Sequence, residues 1–119
     1  MKVKDLMTSD PAKIGPDDGC AQAAVLIREE GCGSIPVVRE GVLVGIVTDR
    51  DIVIRAVADG RDTKTTPVSE VMSADPITIG PESDIEQAVA LMAERQVRRL
   101  PVVENGRLFG IIATAQRAP

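Results

Sequence analysis

Between Gly41 and Arg55 the apolar pattern changes period once, from near-continuous to helical. Val42, Leu43, Val44, Ile46 and Val47 form a β-prone run, the signature of a strand covered on both faces. Gly45 interrupts the run and marks a place where a backbone or a ligand comes close. Thr48 closes the strand, and Asp49-Arg50-Asp51 opens a helix expected to run to about Asp59 and stop at Gly60. Upstream, Ile35–Arg39 reads as the pairing strand, joined to Val42–Thr48 by a Glu40-Gly41 turn. Before it, Cys20, Ala23, Ala24 and Ile27 recur at i, i+3, i+4 and i+7, the single buried stripe of a helix. An opening segment (Val3–Met7), an Asp10-Pro11 break and a short extended piece (Ala12–Ile14) precede that helix.

The same order of elements recurs 65 positions later, from Met7 to Met72, without a gap. Met7-Thr8-Ser9-Asp10-Pro11 meets Met72-Ser73-Ala74-Asp75-Pro76, and Ile35-Pro36-Val37-Val38 meets Leu100-Pro101-Val102-Val103. The second opening segment is Val68–Met72, and Ile77–Ile79 is the second extended piece. Ile85, Ala88, Val89 and Met92 repeat the helix stripe, and Leu100–Glu104 with Arg107–Ala113 repeat the hairpin around Asn105-Gly106. Asp17, Asp18, Glu82 and Asp84 suit the helix starts. A match this long in one register is a duplication. It divides the chain into copy one (1–60), a polar linker (61–67) and copy two (68–119). A unit of about 60 residues is too small to be comfortably stable alone. The expected fold is therefore α/β (α+β), with two β-α-β-β-α copies packed through their strands about a pseudo-twofold axis. That arrangement is expected to leave two equivalent clefts at the strand-to-helix transitions. Pro36 and Pro101 are placed at strand beginnings or edges, where an edge also leaves neighbouring backbone groups open to a ligand.

Composition narrows the functions. The 119 residues include one Phe and no Tyr or Trp, so stacking of bases on aromatic platforms is nearly excluded. A net charge of -4 argues against work on a nucleic-acid backbone. No apolar run approaches a membrane span and no signal peptide is read at the start, so no membrane partner is expected and the expected location is the cytoplasm. Cys20 and Cys32 without any histidine make a poor zinc set, and Cys20 reads as a buried core thiol. The absence of histidine also removes the commonest general base, which points away from an enzyme.

Thr48 and Asp51 are the candidate chemistry. A helix start exposes unpaired N–H groups that favour anions, and a hydroxyl and a carboxylate three residues apart there can hold a phosphate and a ribose diol. The same Thr48-x-x-Asp51 spacing also suits a capping box, in which the two side chains tie down the helix start.

Taken together, Met7-x-x-Asp10-Pro11, Ser34-Ile35-Pro36-Val37-Val38 and Gly45-Ile46-Val47-Thr48-Asp49-Arg50-Asp51, with their second-copy counterparts, resemble a tandem pair of cystathionine β-synthase (CBS) domains, or Bateman module. The resemblance covers essentially the whole chain and looks like a small stand-alone member. It implies a regulatory module that binds an adenosine-containing ligand: AMP, ADP or ATP, with NAD or S-adenosylmethionine as lesser candidates. It also implies a homodimer and a regulated protein partner. By similarity, Asp51 holds the ribose hydroxyls, Thr48 contacts phosphate, and Ile14, Ile35 and Val37 are adenine neighbours. Arg98 and Arg99 are the candidate basic side chains for phosphates, with a solvated surface pair as the alternative. Copy two departs from the ligand signature: Ala113 stands where copy one has Thr48, and Gln116 where it has Asp51. Its cleft is expected to bind weakly or not at all. The rival reading is a dimerisation or interaction module with vestigial clefts.

Overall fold

Two β-hairpins carry the fold, and each is set by its turn. In a computed structural model, which describes residues 1–114, β2 (Ser34–Arg39) pairs with β3 (Val42–Thr48), and β5 (Arg99–Glu104) with β6 (Arg107–Ala113). Glu40 and Gly41 have φ of 53° and 84°, and Asn105 and Gly106 have 54° and 80°. A two-residue turn with both central φ positive matches the right-handed twist of the strands it joins. Both hairpins carry one extra residue at the same point. The register moves from Val37↔Gly45 to Val38↔Leu43, and from Val102↔Gly110 to Val103↔Leu108, leaving Val44 and Phe109 without an opposite.

Helix α2 (Cys20–Glu30) ends at Gly31 with φ 64°, and α4 (Ile85–Arg95) at Gln96 with φ 56°. The buried seam of α2 is Cys20, Ala23 and Ile27, with Leu26 packed beside it; in α4 it is Ala88 and Met92, flanked by Ile85 and Leu91. Ala24, expected on the stripe, is exposed. The seam turns toward Leu26, whose larger apolar surface gains more from burial. The two helix starts share one bond, Cys20 N–H to Thr66 O and Ile85 N–H to Met1 O, and differ in what is added to it. Asp84 and Gln87 form a capping box on α4, whereas α2 begins at Gly19, where a Cβ would lie 2.8 Å from the Lys64 carbonyl oxygen. The linker comes that close because its carbonyls serve as the cap: Ala21 N–H donates to Thr63 O (2.8 Å) and Cys20 N–H to Thr66 O (3.0 Å).

Pro36 and Pro101 lie third in β2 and β5 rather than at an open edge. Ile14 N–H donates to Pro36 O (3.1 Å) and Val38 N–H to Ile14 O (2.8 Å); Ile79 does the same between Pro101 and Val103. The expectation of free backbone groups beside the prolines is therefore corrected, because buried edge groups need partners and the extended pieces supply them.

The chain forms two compact units that do not coincide with the two sequence copies. A continuous unit spans Ala12–Pro76; a split unit joins Met1–Pro11 to the chain from Ile77 onward. Each copy's opening segment packs on the body of the other. In the split unit, α1 (Val3–Leu6) delivers Val3, fully buried, to a core with Ala88, Met92, Leu100, Val102 and Ile112. Its β1 (Thr8–Ser9) pairs antiparallel with β6. In the continuous unit, a 3-10 turn at Val68–Glu70 delivers Val68 and Val71 to a core with Ile35, Val37, Val47 and Ile52, and β4 (Ser73–Ala74) pairs with β3. The hydrogen bonds match one for one: Val3 N–H to Ser83 O and Val68 N–H to Asp18 O, at 2.8 and 2.7 Å.

Candidate ligand site at the end of strand β3

Strand β3 delivers Thr48, in extended conformation, to the start of α3 (Asp49–Ile52). Thr48 Oγ1 accepts from Asp51 N–H at 3.0 Å, and Asp51 Oδ2 accepts from Thr48 N–H at 3.0 Å. The capping box is thus formed, with aspartate where glutamate is commoner. This does not exhaust either group. A carboxylate offers about four acceptor positions and the box takes one; the Thr48 hydroxyl keeps its own hydrogen to donate. Both residues are partly exposed. Ser34 stands opposite Thr48 in the hairpin register, and Asp49 N–H donates to Gly33 O (3.1 Å), which fastens the Gly31–Gly33 loop beside the helix start. Ser34 carries no role in the sequence analysis because, counted back from the Glu40-Gly41 turn, it falls opposite Val47; the extra residue at Val44 moves it opposite Thr48.

The close approach expected at Gly45 is made by a backbone. A Cβ there would meet Met72 Sδ at 2.6 Å and Ser73 O at 2.8 Å, so glycine admits β4. Beyond α3 the expected single helix changes register. Residues Val53–Val57 are π-helical, with Ala58 N–H bonded to Val53 O (2.8 Å) and Arg61 N–H to Ala56 O (2.9 Å). Ile52 and Ala56 stay in the core while Arg55 Nη1 donates to Val71 O (3.1 Å) and Met72 O (3.4 Å). Holding both anchors accommodates one extra residue in the turn, a feature frequent beside functional sites.

Ile14, Ile35 and Val37 belong to the same continuous unit as Thr48 and Asp51, but their side chains are 3%, 1% and 0% exposed and fill its core. Arg98 and Arg99 belong to the split unit. Arg98 is exposed; Arg99 is half-buried opposite Ala113, and its Nε is buried with no hydrogen-bond partner among the described residues. The backbone at the end of β6 mirrors the end of β3, since Thr114 N–H donates to Arg98 O (2.9 Å) as Asp49 does to Gly33. What differs is chemistry: Ala113 brings no hydroxyl, and Gln116 lies outside the described residues.

Cys20 is buried, and desolvation pushes its thiol pKa up, with Arg61 opposing and Glu70 adding a smaller push. Cys32 is half-buried, its thiol on Ser34 O at 3.3 Å. Among the described residues no group of three or more His, Cys, Asp or Glu could hold a metal ion, and no helix is long and apolar enough to cross a membrane.

The CBS domain profile matches residues 3–57 and 68–114. This chain belongs to the CBS domain family. The CBS domain-containing protein YhcV of Bacillus subtilis is 47% identical over 116 residues, covering 98% of this chain and 82% of that protein. The crystal structure of hypoxic response protein I with two coordinated zinc ions superposes with a TM-score of 0.89 at 32% identity, over 100% of both chains. That of CBSX2 in complex with AMP gives 0.83 at 27% identity, over 97% of this chain and 91% of that one. As in those neighbours, the CBS pair here is a mixed α/β fold of antiparallel hairpins and helices.

Proposed function

We propose that the chain is a regulatory, non-catalytic CBS pair that binds an adenine nucleotide at Thr48 and Asp51 and reports occupancy to a partner protein. AMP, ADP or ATP is the favoured ligand, with NAD or S-adenosylmethionine behind. The observation that carries this reading is the state of the Thr48–Asp51 pair. Each side chain accepts the other residue's backbone N–H at 3.0 Å across a helix start and keeps acceptor or donor capacity, which suits a ribose diol and a phosphate. The AMP in CBSX2 supports the ligand class. The near-absence of aromatics suits a base held between aliphatic side chains and backbone. The zinc ions of hypoxic response protein I are not carried over, because two cysteines and no histidine make a poor zinc set.

A thermal-shift panel of AMP, ADP, ATP, NADH and S-adenosylmethionine tests the proposal, read by circular dichroism because the chain has no Trp or Tyr. A ligand present at a hundredfold its Kd stabilises the fold by about 2.7 kcal/mol. Failure of every compound at millimolar concentration favours the second reading, a module for association. One observation supports that reading: Val53, Ile54 and Val57 are 54%, 49% and 57% exposed on the π-helical turn. An apolar face of this kind suits a homodimer contact.

A further inference from the structure

The split unit is assembled from two stretches of chain, whereas the continuous unit is one stretch. Its body therefore presents a surface that the opening segment completes. Much of that recognition is main chain. Val3 N–H bonds Ser83 O, Ile85 N–H bonds Met1 O, and β1 extends the hairpin through Thr8↔Ile111 and Ser9↔Gly110. A Cβ at Gly110 would lie 2.8 Å from Met7 Sδ and 2.6 Å from Thr8 O, so the glycine shapes a seat for this segment. Glu82 adds a charge match, holding Lys2 Nζ at 2.7 Å and Lys4 Nζ at 2.8 Å. The equivalent segment of the continuous unit has Pro67 and Ser69 at the two lysine positions, and Asp17 at the glutamate position pairs with Arg39 instead.

The joint that returns the segment to its own copy is Asp10-Pro11. Asp10 has φ 51°, the left-handed region, immediately before a proline. A residue preceding proline is driven by sterics toward extended conformations, so the closed joint holds Asp10 against its preference. An extended joint relieves this, and a short strained hinge is the feature that invites exchange of a segment between copies.

We propose that the seat on the split unit is an interaction surface for a second copy of this chain. The segment Met1–Ser9 of one protomer docks on the split-unit body of another, in the same contacts it makes in its own chain, through opening of Asp10-Pro11. The proposal goes beyond the nucleotide reading and does not depend on it. Lys4 and Glu82 are both exposed and make the test. Two full-length chains, Lys4→Cys and Glu82→Cys, are unfolded together in urea, refolded at high concentration and oxidised. The doubly substituted chain is the control that a 4–82 disulfide closes within one molecule. Peptide mapping is expected to find the 4–82 link between chains at a yield roughly tenfold above that from the same chains mixed while folded, as segment exchange requires. Asp10→Gly, which adopts positive φ without strain, is expected to lower that yield several-fold. A co-refolded yield no higher than native mixing, with the control closing its disulfide, overturns the exchange. A yield unchanged by Asp10→Gly overturns the strained joint as its hinge.

Discussion

At the scale of single residues, one substitution separates the cap that Asp51 forms from the ligand contact proposed for it. Its Oδ2 caps α3 through Thr48 N–H, and its charge is what a ribose diol would add to that role. Asp51→Asn keeps an acceptor of the same size and loses the charge. We expect nucleotide affinity to fall by about 1.5–3 kcal/mol, the worth of a hydrogen bond to a charged group. Folding stability should change by about 1 kcal/mol or less, the usual value of a cap. Calorimetry beside urea denaturation checks both, and lost stability with unchanged affinity would reduce the pair to a cap. Glu82 gives a second prediction, through pH. Lys2 first and then Lys4 hold its carboxyl down to about 2, from an ordinary 4.5, and Glu82 in turn raises the pKa of Lys4. A depressed carboxylate contributes stability that is complete above its unfolded pKa and is lost as pH falls through the folded one. The stability gap between wild type and Glu82→Gln should therefore be level near neutrality and close between about pH 4.5 and 2. Being a surface pair, it should be small and should shrink in high salt. A gap that widens on acidification would contradict the pairing.

At the scale of elements, Gly45 and Gly110 are where each hairpin receives its third strand. A Cβ on either would meet a carbonyl oxygen, Ser73 O at 2.8 Å or Thr8 O at 2.6 Å, and backbone cannot swing aside as a side chain can. Gly45→Ala and Gly110→Ala should each destabilise the fold by about 1–3 kcal/mol through overpacking. Gly80→Ala, with only Ser83 Oγ at 3.7 Å, should stay within about 0.5 kcal/mol of wild type. Urea midpoints followed by circular dichroism settle the comparison, and a neutral Gly45→Ala would mean β4 is loosely held. These glycines also show what the sequence carries and what it does not. Strands, hairpin turns and the two long helices were legible because period and turn chemistry are local. The partner of Gly45 was not, because β4 reaches it from copy two, and no local pattern says which hairpin a two-residue strand will join. The π-helical turn was hidden for the same reason: Arg55 departs from helical register to meet Val71 and Met72 carbonyls distant in sequence. The position of Thr48 and Asp51 could be read from spacing, whereas the burial of Ile14, Ile35 and Val37 depends on a core completed by Val68 and Val71.

At the scale of the whole molecule, duplication has produced two backbones alike in detail and unlike in chemistry. Both hairpins share turn, extra residue and register, and both strand ends are fastened by the same backbone bond, Asp49 to Gly33 and Thr114 to Arg98. On that common frame copy one carries Thr48 opposite Ser34, two small hydroxyl side chains, and copy two carries Ala113 opposite Arg99, an apolar stub facing a guanidinium. The second pair lacks a hydroxyl, and Gln116 in the sequence lacks the charge that makes a carboxylate the stronger acceptor for a diol. We therefore expect one adenine nucleotide per chain, bound through copy one. Calorimetry with AMP should give a stoichiometry near one, and Asp51→Asn should weaken that single event. Restoring both groups with Ala113→Thr and Gln116→Asp should raise the stoichiometry toward two only if the shared backbone is the limiting requirement. Two sites of similar affinity in the wild-type chain would contradict the asymmetry. Binding of AMP that survives Asp51→Asn undiminished but falls in Arg99→Ala would move the site to copy two.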